Sequence, residues 1–129
     1  MDKSGNTKEK YLHSELTEKI IRCFYNVYDT LGAGFLESVY VKALMWELRK
    51  VGLSFEIEKA INVNYKGNVI GIFRVDIVVD NKIIVEVKAV KSLVPQHEAQ
   101  LINYLRATEF KLGLLVNFGN KLEFKRRIY

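Results

Sequence analysis

The segment from residue 73 to residue 90 reads FRVDIVVDNKIIVEVKAV. In its first half, apolar residues occupy the odd-numbered positions and Asp76 occupies an even one. The second half repeats this pattern, with Glu86 and Lys88 alternating with apolar residues. A period of two is typical of β-strands, because successive side chains point to opposite faces of a sheet. The segment therefore predicts a β-hairpin with an apolar face and a charged face.

The length of the hairpin loop determines which side chains of the two strands face each other. Both apolar sets share one face only if the loop has an odd number of residues, such as Asp80-Asn81-Lys82. That loop places Asp76 opposite Glu86. It also places Arg74 opposite Lys88. Directly opposed residues have Cβ atoms about 5 Å apart, so the two carboxylates repel each other unless a positive charge lies between them.

A divalent cation between the two carboxylates is the simplest explanation of this arrangement. Hard cations such as Mg²⁺ take oxygen ligands, usually one or two carboxylates completed by waters and phosphate oxygens. The backbone carbonyl of Val87 is a candidate third ligand. Lys88 is suited to hold an attacking water or to stabilise charge on a phosphoryl group. The ordinary alternative is a solvated face of cross-strand ion pairs, which is the commoner outcome for an arbitrary hairpin.

Two helices are predicted before the hairpin. Apolar residues at helical spacing follow Ser14 until Gly32-Ala33-Gly34 interrupts the pattern, and a second helix is predicted from about Leu36 to Val51. At 100° per residue, Glu37 falls on the apolar face of this second helix, in its first turn. A carboxylate there needs a partner. The alternative is a favourable interaction with the helix N-terminus.

A third helix is predicted from Pro95 to about Ala107, because proline is common at the first helical position. Its residues His97, Gln100 and Tyr104 recur on one face. Gln100 is suited to orient a phosphate or a water at a metal. For His97 an exposed position on the polar flank is expected.

The remaining segments complete the expected α/β order of two helices, up to four extended segments, one helix and two strands. These segments are rich in β-branched and aromatic residues and are separated by turn residues. The predicted strands outside the hairpin are Leu53 to Glu58, Ile61 to Tyr65, the start of Val69 to Val79, Lys111 to Asn117 and Leu122 to Arg127, and the second hairpin strand is Lys82 to Val90.

The whole chain of 129 residues, with 49% hydrophobic composition, is long enough for one domain with its own core. Residues 1 to 10 are polar and predict a flexible tail, which leaves residues 11 to 129 as one domain. The net charge of +5 favours an anionic partner. The single Cys23 cannot form an internal disulfide and is expected in the core. Neither a signal peptide nor a membrane span is predicted, so a cytoplasmic location is expected.

These residues together resemble a known family. Asp76, nine residues and then Glu86-Val87-Lys88 resemble the core motif of the PD-(D/E)XK nuclease superfamily. The segment from Gln100 to Tyr104 is similar to the Gln-x-x-x-Tyr motif of its RecB-like and Cas4-like branch. The segment GFLESVY, residues 34 to 40, is similar to the one that names the GxxExxY proteins. Val75 stands where the superfamily often has proline.

The resemblance covers roughly residues 12 to 129 and implies a restriction-endonuclease-like core, in which helices flank a central mixed sheet. The implied activity is metal-dependent hydrolysis of a phosphodiester in nucleic acid, with DNA favoured over RNA. The implied roles are Glu37, Asp76 and Glu86 as ligands of Mg²⁺ or Mn²⁺, Lys88 in catalysis, and Gln100 and Tyr104 as support for the site.

Two other functions are compatible with the sequence. A non-catalytic module would bind phosphates through basic side chains, without a metal and without Lys88. The basic candidates are Arg74, Lys91, Lys121, Lys125, Arg126 and Arg127. A protein-interaction subunit would instead use exposed aromatic residues such as Trp46 or Tyr129. A homodimer is a further expectation, because pairing is a common way for a short chain to span a duplex.

Overall fold

The computed structural model describes residues 12–129, which form a five-stranded mixed sheet and three helices. The predicted tail, residues 1 to 10, lies outside the described residues. Strand order follows the chain from β1 to β5, and every neighbouring pair is antiparallel except β3 with β4. The elements are α1 Ser14–Leu31, α2 Glu37–Lys50, β1 Phe55–Tyr65, β2 Asn68–Val79, β3 Ile83–Lys88, α3 Pro95–Ala107, β4 Leu112–Phe118 and β5 Leu122–Ile128.

Helix α1 forms because its apolar residues fall on one side. Ile20, Phe24 and Val27 are buried on that side, and Cys23 is a buried core residue, as predicted. The helix ends where expected, at Gly32, whose φ of 66° lies in the left-handed region and whose N–H donates to the Tyr28 carbonyl at 2.8 Å. None of the helices in residues 12–129 is long and apolar enough to cross a membrane.

Both faces of the sheet are covered, which confirms the predicted α/β fold. One face packs against α1 and α2, and the other packs against Leu101 and Leu105 of α3. Val78 and Ile84 belong to the α3 face. They alternate with Ile77 and Val85 of the opposite face, so Glu86, two residues after Ile84, lies on the α3 side of the sheet. Glu86 is buried there, so it is not part of a solvated row of ion pairs, the ordinary alternative to a metal site.

The predicted register of the central hairpin is confirmed for the three residue pairs that form. The predicted pairing of Arg74 with Lys88 is wrong, because the β2–β3 ladder ends at Ile77 and Arg74 pairs with Ala60 of β1. Ile77 pairs with Val85, and Val79 pairs with Ile83. These pairs leave Asp80-Asn81-Lys82 as the loop. Asp80 and Asn81 adopt positive φ values of 51° and 54°, which these two residue types tolerate better than most. The Asp80 carboxylate also accepts hydrogen bonds from the backbone and hydroxyl of Ser54, at 3.0 and 2.8 Å.

The strand preceding this hairpin differs from the expectation. Leu53 to Glu58 and Ile61 to Tyr65, predicted as separate segments, form the single strand β1. Within it, Glu58 has a φ of 48°, although it does not lie in a turn. Glu58 is one of two interruptions in the pairing of β1 with β2, and it lies directly opposite Asp76. The long β1–β2 hairpin therefore bends at this point.

The bend changes which face the residues of β2 occupy. Ile77 and Val79 pack beneath α1 and α2, whereas Phe73 and Val75 join the α3 cluster. The prediction that all the odd-numbered positions from Phe73 to Val79 share one face was therefore wrong. Strict alternation requires regular extended backbone in both strands, which the positive φ of Glu58 interrupts.

The connection after β3 is held by a buried asparagine of β4. Asn117 is completely buried, and its side chain both accepts from the Val90 N–H and donates to the Val90 carbonyl, each at 2.9 Å. Its amide also donates to Glu123 at 3.1 Å, and the Glu123 carboxylate accepts the Leu93 N–H at 3.3 Å. These bonds fix the backbone that follows Lys88.

Gly119 should be intolerant of any side chain, because it lies against the same connection. A Cβ there would overlap the Val90 carbonyl oxygen and approach the Lys91 carbonyl to 2.9 Å. We expect Gly119→Ala to cost about 1–3 kcal/mol in urea unfolding. Gly71→Ala is the matched control, because its Cβ would meet nothing closer than 3.9 Å, and its effect should stay within about 0.5 kcal/mol. Equal losses in the two variants would contradict this close approach.

Candidate metal centre

Asp76 lies one residue beyond the last β2–β3 pair, at the point where the strands separate. Its Oδ2 accepts the Val87 N–H at 2.7 Å, so the carboxylate replaces the backbone carbonyl that a continued ladder would supply. This bond fixes the side chain beside Glu86, as the register predicts. The N–H and C=O of one strand residue point to the same edge. The Val87 carbonyl therefore faces Asp76.

Glu86 is the most unusual ionisable group near Asp76. It is only 5% exposed, and its Oε1 has no hydrogen-bond partner among the described residues. Burial and then the charge of Asp76 raise the pKa of Glu86 to about 9, assisted by a hydrogen bond that the protonated carboxyl makes with Asp76. Lys88 opposes this shift, and Glu37 adds slightly to it. Without a cation, the pair holds a proton at neutral pH.

The three residues that were predicted to support the pair, Lys88, Tyr104 and Gln100, differ in their burial and contacts. Lys88 is half-buried at the end of β3 and lies near enough to Glu86 to oppose its pKa shift. The Tyr104 pKa is raised by burial, then by Glu86 and Asp76. Its ring stacks on Phe73 with centroids 4.0 Å apart. Gln100 is exposed one helical turn before Tyr104.

Glu37 is less enclosed than predicted. It is exposed at the start of α2, so the prediction that its carboxylate is enclosed among the apolar residues of that helix was wrong. It lines a cleft of about 370 Å³ with Asp76 and Glu58. Within residues 12–129, no three His, Cys, Asp or Glu side chains have the spacing to hold a metal together. The role of Glu37 as a ligand stays a prediction.

The Gly34-to-Tyr40 segment positions Glu37. Gly34 adopts a φ of 106°, which disfavours other residues. The Tyr40 hydroxyl donates to the Gly32 carbonyl at 2.6 Å and accepts the Phe35 N–H at 3.3 Å. The Tyr40 ring stacks on Phe118 with centroids 4.5 Å apart. Tyr40 thus ties the loop before α2 to the core, which fixes where the helix and Glu37 begin.

Sequence reasoning missed Glu58. Its side chain is exposed in the same cleft as Asp76, and its carbonyl accepts a hydrogen bond from Arg74 at 3.1 Å. Its position opposite Asp76 depends on a β-bulge between Val63 and Asn64, which shifts the register of the hairpin by one residue. The Lys66-Gly67 turn predicts a hairpin but gives no sign of that bulge.

The donor set fits a hard divalent cation. Glu86 provides a buried carboxylate oxygen with no hydrogen-bond partner in the described part of the chain, and Asp76 provides a second carboxylate fixed by the backbone. With the Val87 carbonyl on the same edge, these residues offer the oxygen ligands that Mg²⁺ and Mn²⁺ prefer. A cation between the carboxylates would replace the shared proton and remove their repulsion.

The predicted basic residues do not form one patch. Arg126 donates to the Leu12 carbonyl at 3.0 Å, beside α1. Arg127 forms an ion pair with Glu98 of α3 at 2.7 Å, and Lys125 lines a groove along α3. Successive residues of β5 point to opposite faces, which divides the basic run. Arg74 and Lys91 are exposed elsewhere.

The sequence pattern of the PD-(D/E)XK nuclease superfamily matches residues 14–127. This match spans both carboxylates, Lys88 and nearly every described element. The chain belongs to the PD-(D/E)XK nuclease superfamily. No curated protein matches this superfamily member.

A solved structure supports the fold of this superfamily member. The chain is similar to the protein described as "Crystal structure of SSO0001", with 23% sequence identity and a TM-score of 0.51. The similarity covers 92% of this chain but 60% of that one. The chain therefore spans less than two thirds of the length of that protein, and the likeness concerns the fold alone.

Replacing Glu86 should change how stability depends on pH. Its pKa is about 9 when folded and 4.5 in an unperturbed chain, so folding takes up a proton between these values and stability falls as pH rises through them. In EDTA, we expect Glu86→Gln to exceed the wild type at about pH 8 by more than 1.4 kcal/mol, the equivalent of one pKa unit, and by less at about pH 5.

Urea unfolding at several pH values measures this difference. Glu109→Gln is the matched control, because Glu109 is exposed and lies outside the site. A stability difference between Glu86→Gln and wild type that stays constant with pH would contradict a shared proton in the pair.

Proposed function

We propose that this protein is a divalent-metal-dependent nuclease that hydrolyses phosphodiester bonds of nucleic acid, with DNA the favoured substrate. The proposal rests chiefly on one observation. In a chain of a nuclease superfamily, Glu86 is buried beside Asp76 on the strand that carries Lys88, and one of its oxygens has no hydrogen-bond partner among residues 12–129. Burying one carboxylate beside another destabilises a fold unless a proton or a cation offsets the repulsion, and a cation allows both groups to stay ionised.

The proposed roles follow from position. Asp76, Glu86 and the Val87 carbonyl hold Mg²⁺ or Mn²⁺, and Glu37 reaches the ion from across the cleft, directly or through water. When bound, the cation neutralises phosphate charge and makes water a better nucleophile. Lys88 orients that water or stabilises the charge that develops on the phosphoryl group.

The helix α3 supplies the proposed supporting residues. Tyr104, whose raised pKa keeps it protonated, offers a hydroxyl donor near the carboxylates. Gln100, exposed on the same face, is available to orient a phosphate or a water. These two residues support a place in the RecB-like and Cas4-like branch. The Gly34, Glu37 and Tyr40 arrangement supports membership of the GxxExxY proteins.

The proposed partner is a nucleic acid, a polyanion that complements the net charge of +5 on the chain. Arg74 and Lys91 are proposed to contact phosphates, as are the residues from Lys125 to Arg127. The single cysteine of this sequence, which is buried, supports a cytoplasmic location. A homodimer is the proposed means of contacting both strands of a duplex.

A second candidate function is a non-catalytic module that retains the nuclease fold and binds nucleic acid or a protein. One observation favours it: Trp46 is 73% exposed on α2, and large aromatic residues at such positions are frequent at interfaces. Binding by such a module would survive removal of the metal and substitution of Lys88.

The variants Asp76→Ala and Lys88→Ala should both lose cleavage but should differ in metal binding. We expect wild-type protein to cut DNA in Mg²⁺ or Mn²⁺, and Asp76→Ala and Lys88→Ala each to lose about 100-fold or more in rate. Mn²⁺ at 100 times its Kd should stabilise the wild type by about 2.7 kcal/mol in thermal unfolding. Lys88→Ala should keep this stabilisation because it keeps both carboxylates, whereas Asp76→Ala should lose it.

The substrate panel contains single-stranded, double-stranded and branched forms of DNA and RNA. Asp29→Ala is the matched control, because Asp29 is an exposed carboxylate of α1 outside the site. It should retain both cleavage and stabilisation by Mn²⁺. Cleavage that persists in Asp76→Ala and Lys88→Ala would refute the site. Nucleic-acid binding without any metal-dependent product would favour the second candidate.

A further inference from the structure

The β1–β2 hairpin continues past the β2–β3 ladder as a two-stranded ribbon, residues 59–75, whose base packs on the α3 side through Ile61, Phe73 and Val75. The β2–β3 ladder covers Ile77 to Val79 only, so within the described residues the ribbon strands pair with each other alone. Seven residues of β1, from Lys59 to Tyr65, lie beyond the bend, which corresponds to about 23 Å of extended chain. Phe73 fastens the base of the ribbon to Tyr104, and the tip is the turn at Lys66 and Gly67.

The charge of the ribbon has one sign. It contains Lys59, Lys66 and Arg74 and no aspartate or glutamate. Lys59 is paired with Glu56 at the base, but Lys66 and Arg74 are exposed. Three asparagines, whose amides both donate and accept hydrogen bonds, are also exposed along the ribbon: Asn62, Asn64 and Asn68.

The ribbon also carries exposed apolar side chains. Ile70 and Ile72 are 65% and 66% exposed, and Tyr65 and Val69 are more than half exposed. A cluster of this kind on a projecting element indicates contact with a partner. A second copy of this chain is disfavoured, because two ribbons side by side would bring cations against cations. A polyanion complements the same charges.

We propose that the ribbon enters the major groove of duplex DNA. That groove is about 12 Å wide and admits a two-stranded β-ribbon, whose strands are about 4.8 Å apart. Lys66 and Arg74 contact the phosphates that border the groove, and the asparagines contact base edges. Ile70 and Ile72 pack against thymine methyl groups. The major groove of an RNA duplex is too narrow for this contact.

The root of the ribbon places this contact next to the candidate metal centre. The bend at Glu58 lies opposite Asp76, and both residues line the same cleft. A duplex held by the ribbon is therefore brought to the carboxylates. That the DNA backbone near Asp76 is the one cleaved rests on the proposed function, whereas DNA binding by the ribbon does not.

Lys66 provides the sharpest test, because it is exposed at the tip and has a φ of 50°. Asparagine tolerates this backbone conformation better than lysine, so Lys66→Asn removes the charge without straining the turn. Lys66→Glu reverses the charge. We expect both variants to raise the Kd for a labelled DNA duplex severalfold, measured by fluorescence anisotropy in EDTA. The slope of log affinity against log salt should fall by about 0.9 in Lys66→Asn, the loss of one phosphate contact.

Lys19→Glu is the matched control. Lys19 is an exposed lysine of α1 that shares a depression with Asp80 and Lys82, at the opposite end of β2 from the ribbon tip. The Lys19→Glu variant makes the same charge change as Lys66→Glu, and we expect it to have a clearly smaller effect on the Kd for duplex DNA. Thermal unfolding of each variant checks that the fold is retained.

Any of the following results would overturn the proposal. The first is an equal loss of affinity in Lys19→Glu and Lys66→Glu, or no binding of duplex DNA by the wild type. The second is equal affinity for duplex RNA and duplex DNA. The third is a wild-type dimer in light scattering that Ile72→Asp converts to a monomer without changing DNA affinity. Because these measurements use EDTA, they are independent of Mn²⁺ binding and cleavage, on which the proposed function depends.

Discussion

The close approach of Asp76 and Glu86 is the constraint on which the rest of the site depends. Two strands separate here, and the Asp76 carboxylate takes the Val87 N–H in place of a backbone carbonyl. Glu86 is left buried beside it, with one oxygen that has no hydrogen-bond partner among the residues that the structure describes. Such a pair is unfavourable in isolation, so packing on both faces of the sheet must hold it. A locally unfavourable arrangement that the rest of the fold stabilises is typical of functional sites.

The backbone opposite Asp76 also determines how the elements around the site are arranged. The positive φ of Glu58, opposite Asp76, bends the long hairpin and moves Phe73 to the α3 face. Phe73 then stacks on Tyr104, which brings the tyrosine near the carboxylates. The bend thus explains how residues on β2 and α3 meet, and why the outer hairpin leaves the sheet as a ribbon.

The parts of this structure that local patterns determine could be read from the sequence. The loop at Asp80 to Lys82 set the register of the hairpin, apolar periodicity located α1 and α2, and Pro95 located the start of α3. The bend at Glu58 could not be foreseen, because the position of Glu58 opposite Asp76 depends on a register shift between β1 and β2 that no turn residue marks. The exposure of Glu37 was missed because helical periodicity gives the direction of a side chain but not how far neighbouring elements cover it.

The two sides of the site are held by different parts of the fold. On one side, Asn117 pairs with both backbone groups of Val90, which limits the movement of the chain that follows Lys88. On the other, Tyr40 joins the loop before α2 to Phe118. Asn117 and Phe118 are neighbours on β4, which lies beside β3 in the sheet. One buried strand therefore anchors both Lys88 and Glu37 against the carboxylate pair, so the separation across the cleft is set by the rigid core rather than by its exposed walls.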